Sequence, residues 1–112
     1  MLRFSAAAVA LTLAASPAFA AQTQFWNLTV DAIVRFQLSP PGKDAWGLEQ
    51  TKNDKDGSVD PDERLTITET PAGVYDVKFT DKKGRTCTVQ NVKVEAGKIF
   101  SIEEKDLKNC TQ

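Results

Sequence analysis

Pro71-Ala72-Gly73-Val74-Tyr75-Asp76-Val77-Lys78-Phe79-Thr80-Asp81-Lys82-Lys83-Gly84-Arg85-Thr86-Cys87-Thr88-Val89 is the stretch that decides the fold. Tyr75, Val77 and Phe79 alternate with Asp76, Lys78 and Thr80, the period of a half-buried strand. Asp81-Lys82-Lys83-Gly84 is a four-residue connection with a glycine where the chain needs positive φ. A second strand follows from Arg85, with Cys87 and Val89 inward, and its alternation changes phase at Asn91, where Val92 and Val94 take over. Such a phase change predicts a bulge or bend, a device often used where a strand passes between sheets.

Outward from this hairpin the period stays at two. Toward the N-terminus Leu65 and Ile67 face one way and Thr66 and Thr68 the other. Further back, Trp26, Leu28, Val30, Ala32, Val34, Phe36 and Leu38 form one long apolar alternation. That run is long for one strand, so a tight turn or bulge near Val30-Asp31 is expected to divide it. Toward the C-terminus Ala96-Gly97 turns the chain into a last strand, Ile99 to Ile102, and a polar tail from Glu103 to Cys110 has room for one helical turn. No segment keeps a helical period. Six or seven short strands separated by turn signals predict an all-β fold, a small antiparallel immunoglobulin-like or prealbumin-like β-sandwich.

The first 20 residues read differently. Arg3 precedes an apolar run from Phe4 to Ala15, Pro17 breaks it, and Ala18-Phe19-Ala20 has the small-x-small spacing of a signal-peptidase site. The run is too short and too rich in alanine for a membrane anchor, which needs about 20 strongly apolar residues. Residues 1–20 are therefore expected to be a cleaved signal peptide and residues 21–112 one domain, periplasmic or secreted, with no transmembrane segment after cleavage. Removing Arg3 leaves 13 cations against 15 acids, a net −2. That balance gives no electrostatic case for nucleic acid or an anionic membrane.

So small a domain buries a marginal core. Cys87 and Cys110, the only cysteines, would both meet an oxidising compartment, and a disulfide between them is expected. Residues 87 and 110 are 23 apart, and closing a loop of that size stabilises by roughly 3 kcal/mol. The chain contains no histidine. Ser-His-acid and Cys-His nucleophiles and His-ligated metals are thereby excluded. With both thiols bridged no thiolate nucleophile remains. Paired-carboxylate hydrolysis needs a deep cleft that a thin sandwich rarely provides. The expectation is no enzyme.

Two stretches carry a resemblance. Pro71 to Thr80 with the Asp81–Gly84 turn resembles the "PxGxYxVxxxDxxG" hairpin of many extracellular β-sandwich modules. Asn27-Leu28-Thr29, Ile33, Phe36, Leu38, Ser39-Pro40 and Ala45-Trp46-Gly47 resemble a group of small, uncharacterised exported bacterial β-sandwich proteins with an "NxT…I…SPxG…WG…YDV…DxG…C" pattern, over most of residues 25–110. The resemblance implies a turn after Thr29, hence a hairpin from the first long alternation. It departs at Val30-Asp31, where the group has Gly, and in a longer acidic loop. It lends a fold and an address but no activity.

Two features are candidates for function. Asp54-x-Asp56-Gly57-Ser58-Val59-Asp60-x-x-Glu63 fits the calcium-loop template from its third to its twelfth position, with Asp54, Asp56, Ser58, Asp60 and Glu63 as ligands and Val59 facing inward. Lys52 at the first position removes a ligand and repels the ion, although Asn53 stands beside it as a substitute. The competing reading is a solvated, turn-rich connection. Trp46, between Asp44 and Gly47, either stacks on a sugar or anchors a protein partner, or folds over the sandwich end as a core plug near Trp26 and Phe36. Arg35 and Arg85 read as solvated, and the sequons at Asn27 and Asn109 as chance. The expected role is a non-catalytic module without cofactor (calcium being the alternative). Its partner would be a protein or cell-envelope component, bound through loops 40–63.

Overall fold

A computed structural model describes residues 21–112; the expected signal peptide lies outside the described residues. Seven strands form two sheets: β1 (Gln24–Leu28), β2 (Ile33–Ser39), β3 (Arg64–Thr66), β4 (Gly73–Asp81), β5 (Thr86–Val94), β6 (Ile99–Glu103) and β7 (Asn109–Thr111). The first sheet has the order β3-β1-β6 and the second β2-β4-β5-β7. Every pairing is antiparallel except β1 with β6. The two inner faces enclose one core, in which Phe25 and Phe100 of the first sheet meet Phe36 of the second. Ring centroids lie 4.4 Å apart for Phe25–Phe36 and 5.5 Å for Phe25–Phe100. Among the described residues no helix is long and apolar enough to cross a membrane.

The β4–β5 hairpin forms as the alternation predicts. Val77, Phe79 and Cys87 are fully buried, and Gly84 takes φ +87° in the connection. The phase change at Asn91 is a bulge: the register slips between Tyr75↔Val92 and Val77↔Val89, and Asn91 adopts φ +56°. β5 nevertheless stays in its own sheet and does not cross to the other. Asp76 stands opposite the slip, nearly buried. One carboxylate oxygen accepts the Asn91 N–H at 3.2 Å and the other the Gly42 N–H at 2.9 Å. A position that alternation assigned outward is thus an internal clamp between the bulge and the Ser39–Gly42 turn.

The long N-terminal alternation divides as expected, but not into a hairpin. β1 and β2 lie in different sheets, so the segment between them is a corner. Asn27 builds it. Its Oδ1 accepts the Thr29 N–H and hydroxyl at 3.0 and 2.6 Å, and its Nδ2 donates to the carbonyls of Asp31 and Val59 at 3.0 and 2.9 Å. All the polar capacity of a fully buried amide is satisfied inside one bend. The phase in β1 is also opposite to expectation. Phe25 and Asn27 face the core, while Trp26 and Leu28 face outward. Trp26 donates its indole N–H to the carbonyl and carboxylate of Asp62, both at 3.1 Å, under the Arg64 guanidinium.

The tail forms a 3₁₀ turn (Glu104–Asp106) and then β7, and the Cys87–Cys110 disulfide is present. Arg85 is not solvated. It donates through Nε to Asp81 at 2.9 Å and through its terminal nitrogens to both oxygens of Glu104, at 2.7 and 3.2 Å. Glu104 also accepts the Val30 N–H. The network ties the hairpin, the tail and the corner to one guanidinium. The Glu104 bonds raise the Arg85 pKa, and in turn Arg85 holds the Glu104 carboxyl below its usual range.

Candidate functional site

Loops 40–63 cover the edges of β2 and β3. Along the outer side of β2, the Leu38 carbonyl accepts the Gly47 N–H at 2.9 Å, the Phe36 N–H donates to Glu49 Oε1 at 2.9 Å, and the Val34 carbonyl accepts the Thr51 hydroxyl at 3.3 Å. Ile33 and Val59 exchange both backbone bonds. Burial pushes the Glu49 carboxyl up, but bonds from the Thr51 hydroxyl and the Phe36 and Thr51 N–H groups, with the Arg35 charge, outweigh it and hold the group below its usual range. Beside β3, the buried Gln50 imitates a strand neighbour. Its Nε2 donates to the Thr68 carbonyl and its Oε1 accepts the Thr68 N–H, both at 3.0 Å. Asn53 adds a bond to the Thr66 carbonyl at 2.8 Å. The 3₁₀ turn Gln50–Asn53 carries these side chains and so seals one flank of the sandwich.

The residues expected to bind are distributed by this covering role. Trp46 is only half-buried and lies outside the core cluster, so it is not a core plug; Lys78 Nζ sits 4.6 Å from its ring centroid. Asp44 beside it is exposed, at φ +47°. In the acidic loop Asp54 accepts the Asp56 N–H and Glu63 accepts the Asp60 N–H, both at 2.8 Å. Val59 faces inward as expected and is fully buried, but as a core residue beside Ile33. Among the described residues no group of three or more acids or cysteines is placed to hold a metal ion, so Asp54, Asp56, Asp60 and Glu63 do not form such a group around Ser58.

The opposite flank is uncovered. β7 pairs only with Thr86, Cys87 and Thr88, so from Val89 onward β5 keeps β4 on one side and has no strand on the other. β6 pairs only with β1. Between these two edges runs a groove of about 620 Å³. Its lining is mostly polar; Val89 and Val92 are the half-buried apolar side chains in it, while Phe100 and Ile102 beneath belong to the core. Lys93, Lys105 and Lys108 stand on its rim with a single acid, Asp106, whose carboxylate accepts the Glu103 N–H at 2.8 Å.

These groove residues escape sequence reasoning because each looks like ordinary strand or tail. The chain matches no family model, no curated protein and no solved structure.

Proposed function

We propose that the chain is a non-catalytic exported module, periplasmic or secreted, that binds a protein or cell-envelope component through the open β5–β6 flank. The observation that carries this reading is the asymmetry of the sandwich. One flank has its strand edges covered by Gly47, Glu49, Gln50, Thr51 and Asn53, while the other keeps two uncovered edges around a groove. A concave surface that sets a few apolar side chains among polar ones is suited to recognition. The non-catalytic part of the reading rests on side-chain chemistry. Asp106 is the one carboxylate among the groove's lining residues, so a pair for acid–base hydrolysis is not assembled there. The chain has no histidine, and the disulfide occupies both thiols. Export is supported by the leader-like sequence and by the disulfide, which persists in oxidising compartments.

Site-specific photo-crosslinking in cells that export the protein tests this. A photoreactive side chain at Ser101, in the groove, is expected to trap a defined envelope partner, whereas one at Asp44 is expected to trap none. Trapping at Asp44 alone would move the surface to loops 40–63. No adduct at either position would remove the binding reading.

A further inference from the structure

The binding reading leaves the occupant of the groove open, and the inference drawn next rests on that reading. The geometry points to an extended acidic segment of a partner protein, about five residues long, added as a strand along the free edge of β6.

The edge itself supplies the first argument. Gln24 N–H donates to the Lys98 carbonyl at 3.1 Å, which fixes which backbone groups of the parallel β1–β6 pair face each other. By alternation Lys98, Phe100 and Ile102 direct their N–H and C=O groups to β1, and Ile99, Ser101 and Glu103 direct theirs away. The Glu103 N–H is taken by Asp106. The N–H and C=O of Ile99 and Ser101 and the C=O of Glu103 remain as a regular row on an edge whose ladder with β1 is unbroken from Ile99 to Glu103. β5 across the groove is a poorer template, since its bulge at Asn91 and Lys93 are common devices for discouraging strand addition. At about 3.3 Å per residue the β6 edge accommodates about five residues. Alternate side chains of an added strand would then rest on Val89 and Val92, which is how strand addition combines affinity with selectivity.

Charge selects the occupant. Lys93, Lys105 and Lys108 against Asp106 give the lining a net +2, on a domain whose total, with these four included, is −2. Lys93 and Lys105 meet Glu95 and Glu103 at 3.6 and 3.3 Å, exposed pairs of little strength, and Lys108 forms no salt bridge among the described residues. A second copy of this chain would bring its own lysines to the same groove and be repelled. An acidic strand would be steered in.

The test uses the disulfide-bonded domain, residues 21–112, with amide NMR and the blocked peptide acetyl-Glu-Val-Glu-Val-Glu-amide as probe. It is expected to shift the Ile99 and Ser101 amides and to slow exchange at Ser101. The Lys-Val-Lys-Val-Lys counterpart should bind at least about tenfold more weakly. Of two peptides, one N-methylated at all three glutamates and one at both valines, at least one should not bind, because a strand turns alternate N–H groups to the edge it joins. Lys93→Glu with Lys108→Glu, both exposed changes, should reverse the charge preference. Equal binding of the two peptides, or no shift at millimolar peptide, would overturn the acidic-strand proposal. If crosslinks at Ser101 persist in that case, the binding reading survives with a different occupant. Shifts confined to residues 40–63 would overturn the edge while keeping a binding module. Concentration-dependent dimerisation with protection at Ser101 would assign the groove to a second copy.

Discussion

Asn27 is a fully buried amide at a position that alternation with Trp26 and Leu28 assigns to the outer, polar face. It is there because the chain must leave one sheet and enter the other within a few residues, and the corner's backbone groups cannot reach water. Asn27→Asp would set a carboxylate oxygen against the carbonyls of Asp31 and Val59, where an amide now donates. The expected cost is about 3 kcal/mol, read as a lower urea midpoint at unchanged slope; an unchanged midpoint would show that the corner does not depend on this amide. Glu49 makes a titratable version of the same argument. Its carboxyl is held below its usual value in the fold, so the stabilisation is fully present above the ordinary value of 4.5 and is lost as pH falls through the folded value. Glu49→Gln should therefore cost about 1 kcal/mol at neutral pH, with the gap to wild type closing in acid; a gap constant from pH 7 to pH 3 would refute it. At the acidic loop, millimolar calcium is expected to leave the thermal midpoint unmoved, because Asp54 and Glu63 already accept backbone N–H groups of their own turns. A rise abolished by Asp56→Ala would restore the calcium reading. Legibility at this scale was uneven for one physical reason. Alternation shows that a segment is a strand, but the choice of inner face depends on the partner sheet. In β1 Trp26 and Leu28 outweigh Phe25 and Asn27 in apolar bulk, yet they face outward.

Elements with local causes were legible and those with distant causes were not. The β4–β5 hairpin rests on a short connection and a glycine in the left-handed region, all within a few residues, and it folds as read. The bulge at Asn91 was visible because it breaks a period. The crossing of β1 to β2 between sheets was not, since a corner and a hairpin both interrupt a strand at a polar turn. Arg85 was missed for a related reason: its partner Glu104 is 19 residues away, and no pattern along the chain brings them together. The side chain of Asp81 is fully inaccessible, so removing its cation leaves a buried charge short of one partner. Arg85→Met is expected to cost about 3 kcal/mol, and the triple change with Asp81→Asn and Glu104→Gln should recover most of it. Equal loss in the single and triple variants, measured by urea unfolding, would show that packing of the long side chain, not the charge it neutralises, is what the hairpin requires.

The whole molecule is a sandwich whose two flanks are finished differently, and this property is the least visible in the sequence. Covering the β2 and β3 edges takes side-chain bonds across 13 to 18 residues, such as Glu49 to Phe36 and Gln50 to Thr68. Those bonds come from polar residues that read as solvated loop. The β5–β6 flank stays open because β7 pairs with β5 only at Thr86, Cys87 and Thr88. The difference has a direct consequence for native-state hydrogen exchange, which reports local opening for each amide. Phe36 lies on an outer edge, yet its N–H is held by Glu49, so it should exchange as slowly as the inner amides of β2. Ser101 is mid-strand, between residues whose N–H groups bond to β1, but its own N–H points into the groove. It should exchange at least about tenfold faster than Phe100 and Ile102 on either side. Glu49→Gln should raise the Phe36 rate and leave Ser101 alone. If Ser101 proves as protected as its neighbours in the free protein, then something already covers the β6 edge, and the asymmetry on which the binding surface rests is absent in solution.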